Sequence, residues 1–465
     1  MNSGRKYQID MSHGPLFGKI VLFSIPLMTA NVMQVLFNAI DLIVVGRFGS
    51  SEAMAAIGSC GSLCSMYLCI FFGLSVGANV LAARFIGARD HRQVFQTVHT
   101  AVATALYGGI VLALVAAAVS RPILVVMKTP ENILPKSTLY ILLYCVGIPF
   151  ILLYNFGSSI LRAAGDTRRP LVYMIFSGCI KTGLNLFMVC VLGFDVAGVA
   201  VATLVSNMIS SYLVLHALSA MRTEIRLFMK NLKFYASNFR EMVKIGLPAG
   251  VQGALFAISN MTIQSTINSF GDKAMAGSAA TSSLEGIVYV AFISYYFAVI
   301  SFVGQNLGAK KYKRIVRSIF YCLLLTTLAA IAVGWSIFFF GGEKLLRIYN
   351  KDPEVIEWAM IRLHYLVTTY FLCAIMEVLA GALRGLGHSL APMIVTMLGA
   401  CVFRVAWVIW IFPLDHTMNN LLLSYPVSWI LVSSVNGLLL YIVCRKLFRS
   451  VTHRNGGKFA RIKTA

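Results

Sequence analysis

Residues 23–49 read FSIPLMTANVMQVLFNAIDLIVVGRFG, a stretch with a single acid, Asp41, among apolar residues. About 20 apolar residues cross the hydrocarbon core of a bilayer as a helix, and this stretch is long enough. A carboxylate at that depth is costly, which marks it as a functional candidate. The stretch also has a partner. Residues 245–271 read IGLPAGVQGALFAISNMTIQSTINSFG, and Pro26 and Pro248 lie 222 positions apart, as do Phe48-Gly49 and Phe270-Gly271. At that offset Asp41 falls on Ile263. The chain therefore reads as a duplication whose copies differ at the residue most expensive to bury.

Composition names the solvent. The 465 residues are 58% hydrophobic and 12% charged, with a mean hydropathy of +0.79. Soluble domains are about 25% charged, and none of this size has an interior large enough for so many apolar side chains. The formal charge of +22 suggests nucleic acid at first sight. Position argues otherwise: 28 of the 39 Lys and Arg fall in segments on one side of the apolar runs, nine on the other, and Lys181 and Arg404 inside them. That asymmetry is the positive-inside pattern, not a basic binding face. It predicts a multi-pass protein of the inner or plasma membrane with both termini cytoplasmic, a lipid partner and no nucleic-acid partner. The ten Cys lie in or at the ends of apolar runs with no CxxC pair, as buried free thiols do. The N-terminus lacks the layout of a cleaved signal peptide. There is no P-loop, HExxH or GxSxG, and no pair of acids at metal spacing, so the chain reads as neither an enzyme nor a metalloprotein.

Polar punctuation divides the chain into twelve candidate helices, from about 16–46 to about 420–444. Two further anchors extend the repeat. Gly87-Ala88-Arg89 matches Gly308-Ala309-Lys310 at an offset of 221, and Leu161-Arg162, Gly165 and Pro170 match Leu383-Arg384, Gly387 and Pro392 at 222. Both copies start on the same side, as parallel repeats about an axis normal to the membrane do. The expectation is an all-α integral membrane protein of two six-helix lobes. The boundaries are 1–219 for the N-terminal lobe, 220–243 for a basic cytoplasmic linker, 244–447 for the C-terminal lobe and 448–465 for a basic tail.

Among the polar residues in the spans, Asp41 is the sharpest signal. It can exchange a proton or bind an ion as its surroundings alternate between wet and dry, or it can simply reach interfacial water. Lys181, mid-run in the fifth span, is its expected partner, because pairing lowers the cost of burying both charges. For Arg404, snorkelling to the headgroups and an interior position both stay open. Asn185, Thr203, Ser206 and Asn207 suit helix–helix hydrogen bonding or an ion relay. Met33, Gln34, Phe37 and Asn38 precede Asp41 by one or two turns and, with Asn207, are candidates for a cavity wall. Glu377 is a candidate for a second cavity site, and Glu285 is expected at the interface. Met and aromatic side chains suit an adaptable cavity for apolar cations.

In order along the chain, these residues resemble the multidrug and toxic compound extrusion (MATE) transporters over nearly the whole length. The resemblance rests on Pro26 with Asp41 and Gly46-Arg47-Phe48-Gly49, the turns at 87–89 and 308–310, Leu161–Thr167 with its copy at 383–389, and Val196–Thr203. It implies two lobes around a central cleft and efflux of cationic or amphipathic small molecules against inward flow of protons or sodium. It implies no cofactor beyond the coupling ion, and a monomer is expected. The branch with an N-lobe acid maps its first-helix acid onto Asp41, its fifth-helix polar positions onto Lys181 and Asn185, and its sixth-helix Thr onto Thr203. A second acid of that branch is replaced here by Asn185. The Lys at 181 would repel sodium, which favours protons. Two alternatives remain at this point: a lipid-linked oligosaccharide flippase of the same superfamily, and a major facilitator transporter.

Overall fold

A computed structural model describes residues 7–48, 50–127 and 129–462. Among the described residues, twelve helices are long and apolar enough to cross a membrane. They are α1 (Leu16–Phe48), α2 (Glu52–Ala88), α3 (His91–Val126), α4 (Leu134–Ala163), α5 (Arg168–Val191) and α6 (Val196–Ala220), then α7 (Ala236–Asn268), α8 (Asp272–Gly308), α9 (Tyr312–Tyr349), α10 (Pro353–Gly385), α11 (Leu390–Leu414) and α12 (Met418–Arg449). No strand occurs among the described residues. In a lipid solvent each N–H and C=O must be satisfied by the protein itself, which a helix does within its own segment. Even the shortest span, 24 residues, is longer than the hydrocarbon core is thick, at about 1.5 Å per residue. The chain stays helical past α12 to Ile462, through the basic tail.

The repeat read from the sequence is present in the backbone. Arg89 and Lys310 both end a helix in the left-handed region, at φ 57° and 56°. Asp90 N–H then bonds to Phe85 O, and Lys311 N–H to Asn306 O, which satisfies end carbonyls in the same way in both copies. Gly165 and Gly387 share φ +88°, followed by Asp166 N–H to Leu161 O and His388 N–H to Leu383 O. At Gly165 space also forbids a side chain, since a Cβ there would lie 2.3 Å from the Ile9 carbonyl oxygen.

The chain forms two compact units. Of the described residues, the first comprises those up to Asp10 and Leu22–Ala254, and the second Met11–Val21 and those from Leu255. The start of α7 thus packs inside the first unit. It does so through Gly73 and Gly77 of α2 against Gly246 and Gly250, two small-xxx-small pairs. A Cβ at Gly73 would sit 2.2 Å from the Gly250 nitrogen. The segment ahead of α7 is tied to α3. Phe228 N–H donates to His99 Nε2 (3.2 Å), Tyr235 N–H to Thr100 Oγ1 (3.2 Å), and Asn238 Nδ2 to Thr97 Oγ1 (3.0 Å). In the second unit, Asn306 Nδ2 and Arg314 Nη2 both donate to the Met11 carbonyl, at 3.2 and 3.1 Å. Its core gathers Ile263, Phe292, Leu363, Tyr425 and Trp429.

Candidate functional site

Helices α1 and α5 meet along one face. On α1, Phe37 and Asp41 are one turn apart, and on α5, Gly178, Lys181 and Asn185 follow at helical spacing. Gly178 permits the approach, because a Cβ there would lie 2.1 Å from the Phe37 ring. One turn on, Lys181 Nζ pairs with Asp41 Oδ2, and Asn185 Nδ2 donates to Asp41 Oδ1 at 2.9 Å. Both carboxylate oxygens are therefore engaged. Asp41 is 9% exposed and Asn185 0%. Burying two charges costs several kcal/mol per ion, which only close pairing and hydrogen bonding offset. The assembly is net neutral, one carboxylate against one ammonium.

Apolar packing closes one side of the pair. Val44 and Val45 of α1 cluster with Ala53 and Ala56 of α2, Val189 of α5, and Val196 and Val199 of α6, with Tyr140 of α4 against them. Beyond that plug, at the ends of the same helices, lies a polar cap. Ser50 donates to Asp195 from its N–H (3.1 Å) and its hydroxyl (2.5 Å). Lys136 Nζ reaches Asp195 Oδ2 at 3.2 Å and Glu52 Oε2 at 2.8 Å. Partial burial raises the Asp195 carboxyl, but the Ser50 and Lys136 donors outweigh it and hold the group below the usual carboxylate range.

The structure thus brings together Asp41, Lys181 and Asn185, and places the other candidates elsewhere. Thr203 is half-buried on α6 and is not a hydrogen-bond partner of Asp41. Asn207 faces α4, where a Cβ at Gly147 would be 3.9 Å from its Nδ2. Ser206 Oγ joins α6 to α5 by donating to the Ser177 carbonyl at 2.9 Å. Met33 is half-buried, and Gln34 and Asn38 are exposed. Glu377 belongs to the second unit, where Arg384 is the charge that acts on it. Among the described residues, no group of three or more His, Cys, Asp or Glu is placed to hold a metal ion.

One charged residue differs from its expected place. Glu285, expected at the interface, is buried. Arg362 grips both its oxygens, with Nε to Oε1 at 2.7 Å and Nη2 to Oε2 at 3.1 Å, and its Nη1 also donates to Ser278. The planar guanidinium matches a carboxylate two bonds at a time, which makes burial tolerable. Neighbouring sequence gives no sign of a pair 77 positions apart. Arg404 takes the interior position rather than snorkelling and is 1% exposed.

A family model described as MatE matches residues 26–187 and 248–410, two copies that begin at Pro26 and Pro248. The chain belongs to the MatE family. The double MatE match and the recurring turns are one duplication seen twice. Among relatives, the chain is 27% identical over 402 residues to "Probable multidrug resistance protein YpnP" of Bacillus subtilis (strain 168), covering 85% of this chain and 88% of that protein. It is 22% identical to a protein named "FAD transporter" of Shewanella oneidensis, covering 94% and 97%. The fold is similar to the solved outward-facing structure of a multidrug resistance MATE family transporter of the MOP superfamily. The TM-score there is 0.88 at 20% identity, over 96% of this chain and 99% of that one.

Proposed function

We propose that this MatE protein is a secondary active antiporter that exports cationic or amphipathic small molecules, driven by inward proton flow through alternating access. The observation that carries this reading is the buried Asp41–Lys181 pair with Asn185 on its second oxygen. Protonating Asp41 removes the counter-charge of Lys181. An unpaired buried ammonium costs about 3–5 kcal/mol, enough to bias the helices toward another packing. The Asn185 amide suits both states. Its nitrogen donates to the carboxylate, and after a flip its oxygen, which has no hydrogen-bond partner now, would accept from the protonated acid. Substrate release would accompany proton uptake outside, and proton loss inside would restore the pair. The Lys and Arg asymmetry supports cytoplasmic termini.

Charge counting favours protons over sodium. A sodium ion added to the ionised pair would leave one net positive charge at a dry site, and Lys181 already holds one of the oxygens the metal would use. The major facilitator alternative ends with the MatE match. The flippase alternative would need several cavity cations, and here Lys181 is already paired. Relatives carry names for both multidrug resistance and FAD transport, so family membership leaves substrate charge to be decided by the site.

The test is dye efflux from proteoliposomes under a proton gradient without sodium, and under a sodium gradient without a pH difference. Export should follow the proton gradient and fall to the level of empty vesicles in Asp41→Asn. Undiminished export by that variant rules the mechanism out, and sodium-only coupling overturns the assignment of the ion.

A further inference from the structure

Arg404 is a fully buried cation with no carboxylate on it. Its Nε donates to Ser428 Oγ at 3.0 Å and its Nη1 to Asn260 Oδ1 at 3.4 Å. The guanidinium carbon lies 4.2 Å from the Tyr425 ring centroid and 5.9 Å from that of Trp429. Nη2 is buried and has no hydrogen-bond partner. The ionisable groups that act on it most strongly are Tyr425, Cys373, Cys401 and Tyr370, none of them a carboxyl. Buried charges are normally paired, and an uncompensated one is expensive. A Met of similar length would pack here without that penalty, so stability does not explain the residue.

The backbone is irregular at the same place. Arg404 sits on a four-residue α segment, Phe403–Ala406, between two π-helical stretches, Met397–Val402 and Trp407–Ile411. Such wide turns recur at functional sites, because they re-aim side chains that a regular helix would fix. Asn260 is the exposed member of the group, so the short way from the surface of this unit to the guanidinium passes its amide.

We propose that Arg404 is an oxyanion-binding centre of the second unit, taking the carboxylate or phosphate of a transported amphipathic compound. The orphan Nη2 and the Nη1 now lent to Asn260 supply the two-pronged donor that such a group fits. Ser428 and the rings hold the guanidinium in place. This rests on the transport reading and narrows it. The substrate carries a negative group as well as an apolar body, which makes a zwitterion or an aromatic acid, and not a simple cation, the expected cargo.

The test is equilibrium binding to the purified full chain in maltoside detergent, with no gradient, so failed transport coupling and failed anion recognition are told apart. The probes are carboxyfluorescein, an aromatic acid, and rhodamine 6G, a cation of similar ring size, followed by fluorescence anisotropy. Arg404→Gln should weaken the acid at least about ten-fold and change the cation by less than about two-fold. Arg404→Lys should retain part of the affinity. Asn260→Asp, an isosteric change at an exposed position, sets a carboxylate against the guanidinium as an internal competitor. It should abolish acid binding in a protein that elutes and melts like the wild type. Phenyl phosphate should displace the bound acid. Displacement by phosphatidylglycerol but not by phenyl phosphate would make the occupant a lipid headgroup and overturn the assignment to a solute. Carboxyfluorescein binding that is absent in the wild type, or unchanged in both Arg404→Gln and Asn260→Asp, would overturn the proposal.

Discussion

Phe37 lies on Gly178 in the first unit, and Ser259 Oγ donates to the Ala400 carbonyl at 3.3 Å in the second. Each residue of one contact is 222 positions from its counterpart in the other. The same helix pair therefore meets at the same height in both copies, α1 with α5 and α7 with α11. One turn on, the copies part. The first unit has Asp41, paired by Lys181; the second has Ile263, fully buried, and Arg404 one position beyond the counterpart of Lys181. The helix behind follows suit: Thr203, Ser206 and Asn207 become Tyr425, Ser428 and Trp429. Duplication preserved the backbone and its close approaches and left the charges free to diverge. One unit holds an acid that a proton can neutralise, and the other a cation that no proton will neutralise, since Arg stays charged at any working pH.

The largest effects should fall on the acid-bearing copy. Asp41→Asn strands Lys181 without a counter-ion and should cost about 3–5 kcal/mol of stability, on top of the loss of export. Removing both charges, Asp41→Asn with Lys181→Met, should recover most of that stability and none of the export. A double variant no more stable than Asp41→Asn would mean that the two side chains are not coupled. Glu285→Gln, in the other copy, should cost a similar amount because it strands Arg362, but its role is structural, so export per folded molecule should stay near wild type. Export falling with Glu285→Gln as it does with Asp41→Asn would break the division drawn between the units.

Packing should matter less than charge. Gly178→Val drives a branched side chain into Phe37, at a cost of about 1–3 kcal/mol. It should also loosen the Asp41–Lys181 contact one turn away. Ala400→Val tests the same height in the copy that already carries a Cβ. Comparing the two variants by thermal melting should show the greater loss at Gly178, and equal losses would mean that α1 and α5 approach no more closely than α7 and α11.

Much of this was legible in the sequence, for physical reasons. Hydropathy sets the twelve spans because lipid demands it, and the recurring Gly and Arg or Lys turns locate the repeat because few residues tolerate that backbone. Asp41 and Lys181 find each other on paper because each is the one charge away from the ends of its span and neither can afford to be alone. Asn185 follows from spacing on the same helix face. The Gly73–Gly77 and Gly246–Gly250 spacings were open to reading as a helix contact. Glu285 with Arg362 was not, since both sit in the first half of their spans, where an interfacial place looks equally good, and the choice between them is made by tertiary packing. Phe37 reads as a cavity wall by its distance from Asp41, while its ring covers a glycine on another helix, which one helix's periodicity does not reveal.

The two ion clusters on the fourth and tenth helices give the smallest and most discriminating contrast. Lys136 lies on α4 one turn before Tyr140, the counterpart of Arg362 on α10. The side chains differ in exposure: Lys136 and Asp195 are 32% and 29% exposed, Arg362 and Glu285 8% and 11%. Water screens the first pair, so Asp195→Asn should shift the melting temperature by no more than about 2 °C. Its pH dependence carries the sign. The folded Asp195 carboxyl is held below its unfolded value, so its contribution is complete above the ordinary carboxylate range, near pH 4, and is lost as the pH falls through the folded value. The gap between wild type and Asp195→Asn should therefore be widest near neutrality and close as the pH falls below the ordinary carboxylate range. A gap that widens on acidification would mean that burial, not the Ser50 and Lys136 donors, governs this carboxyl, and that the outer clusters of the two units are closer in kind than their exposure implies.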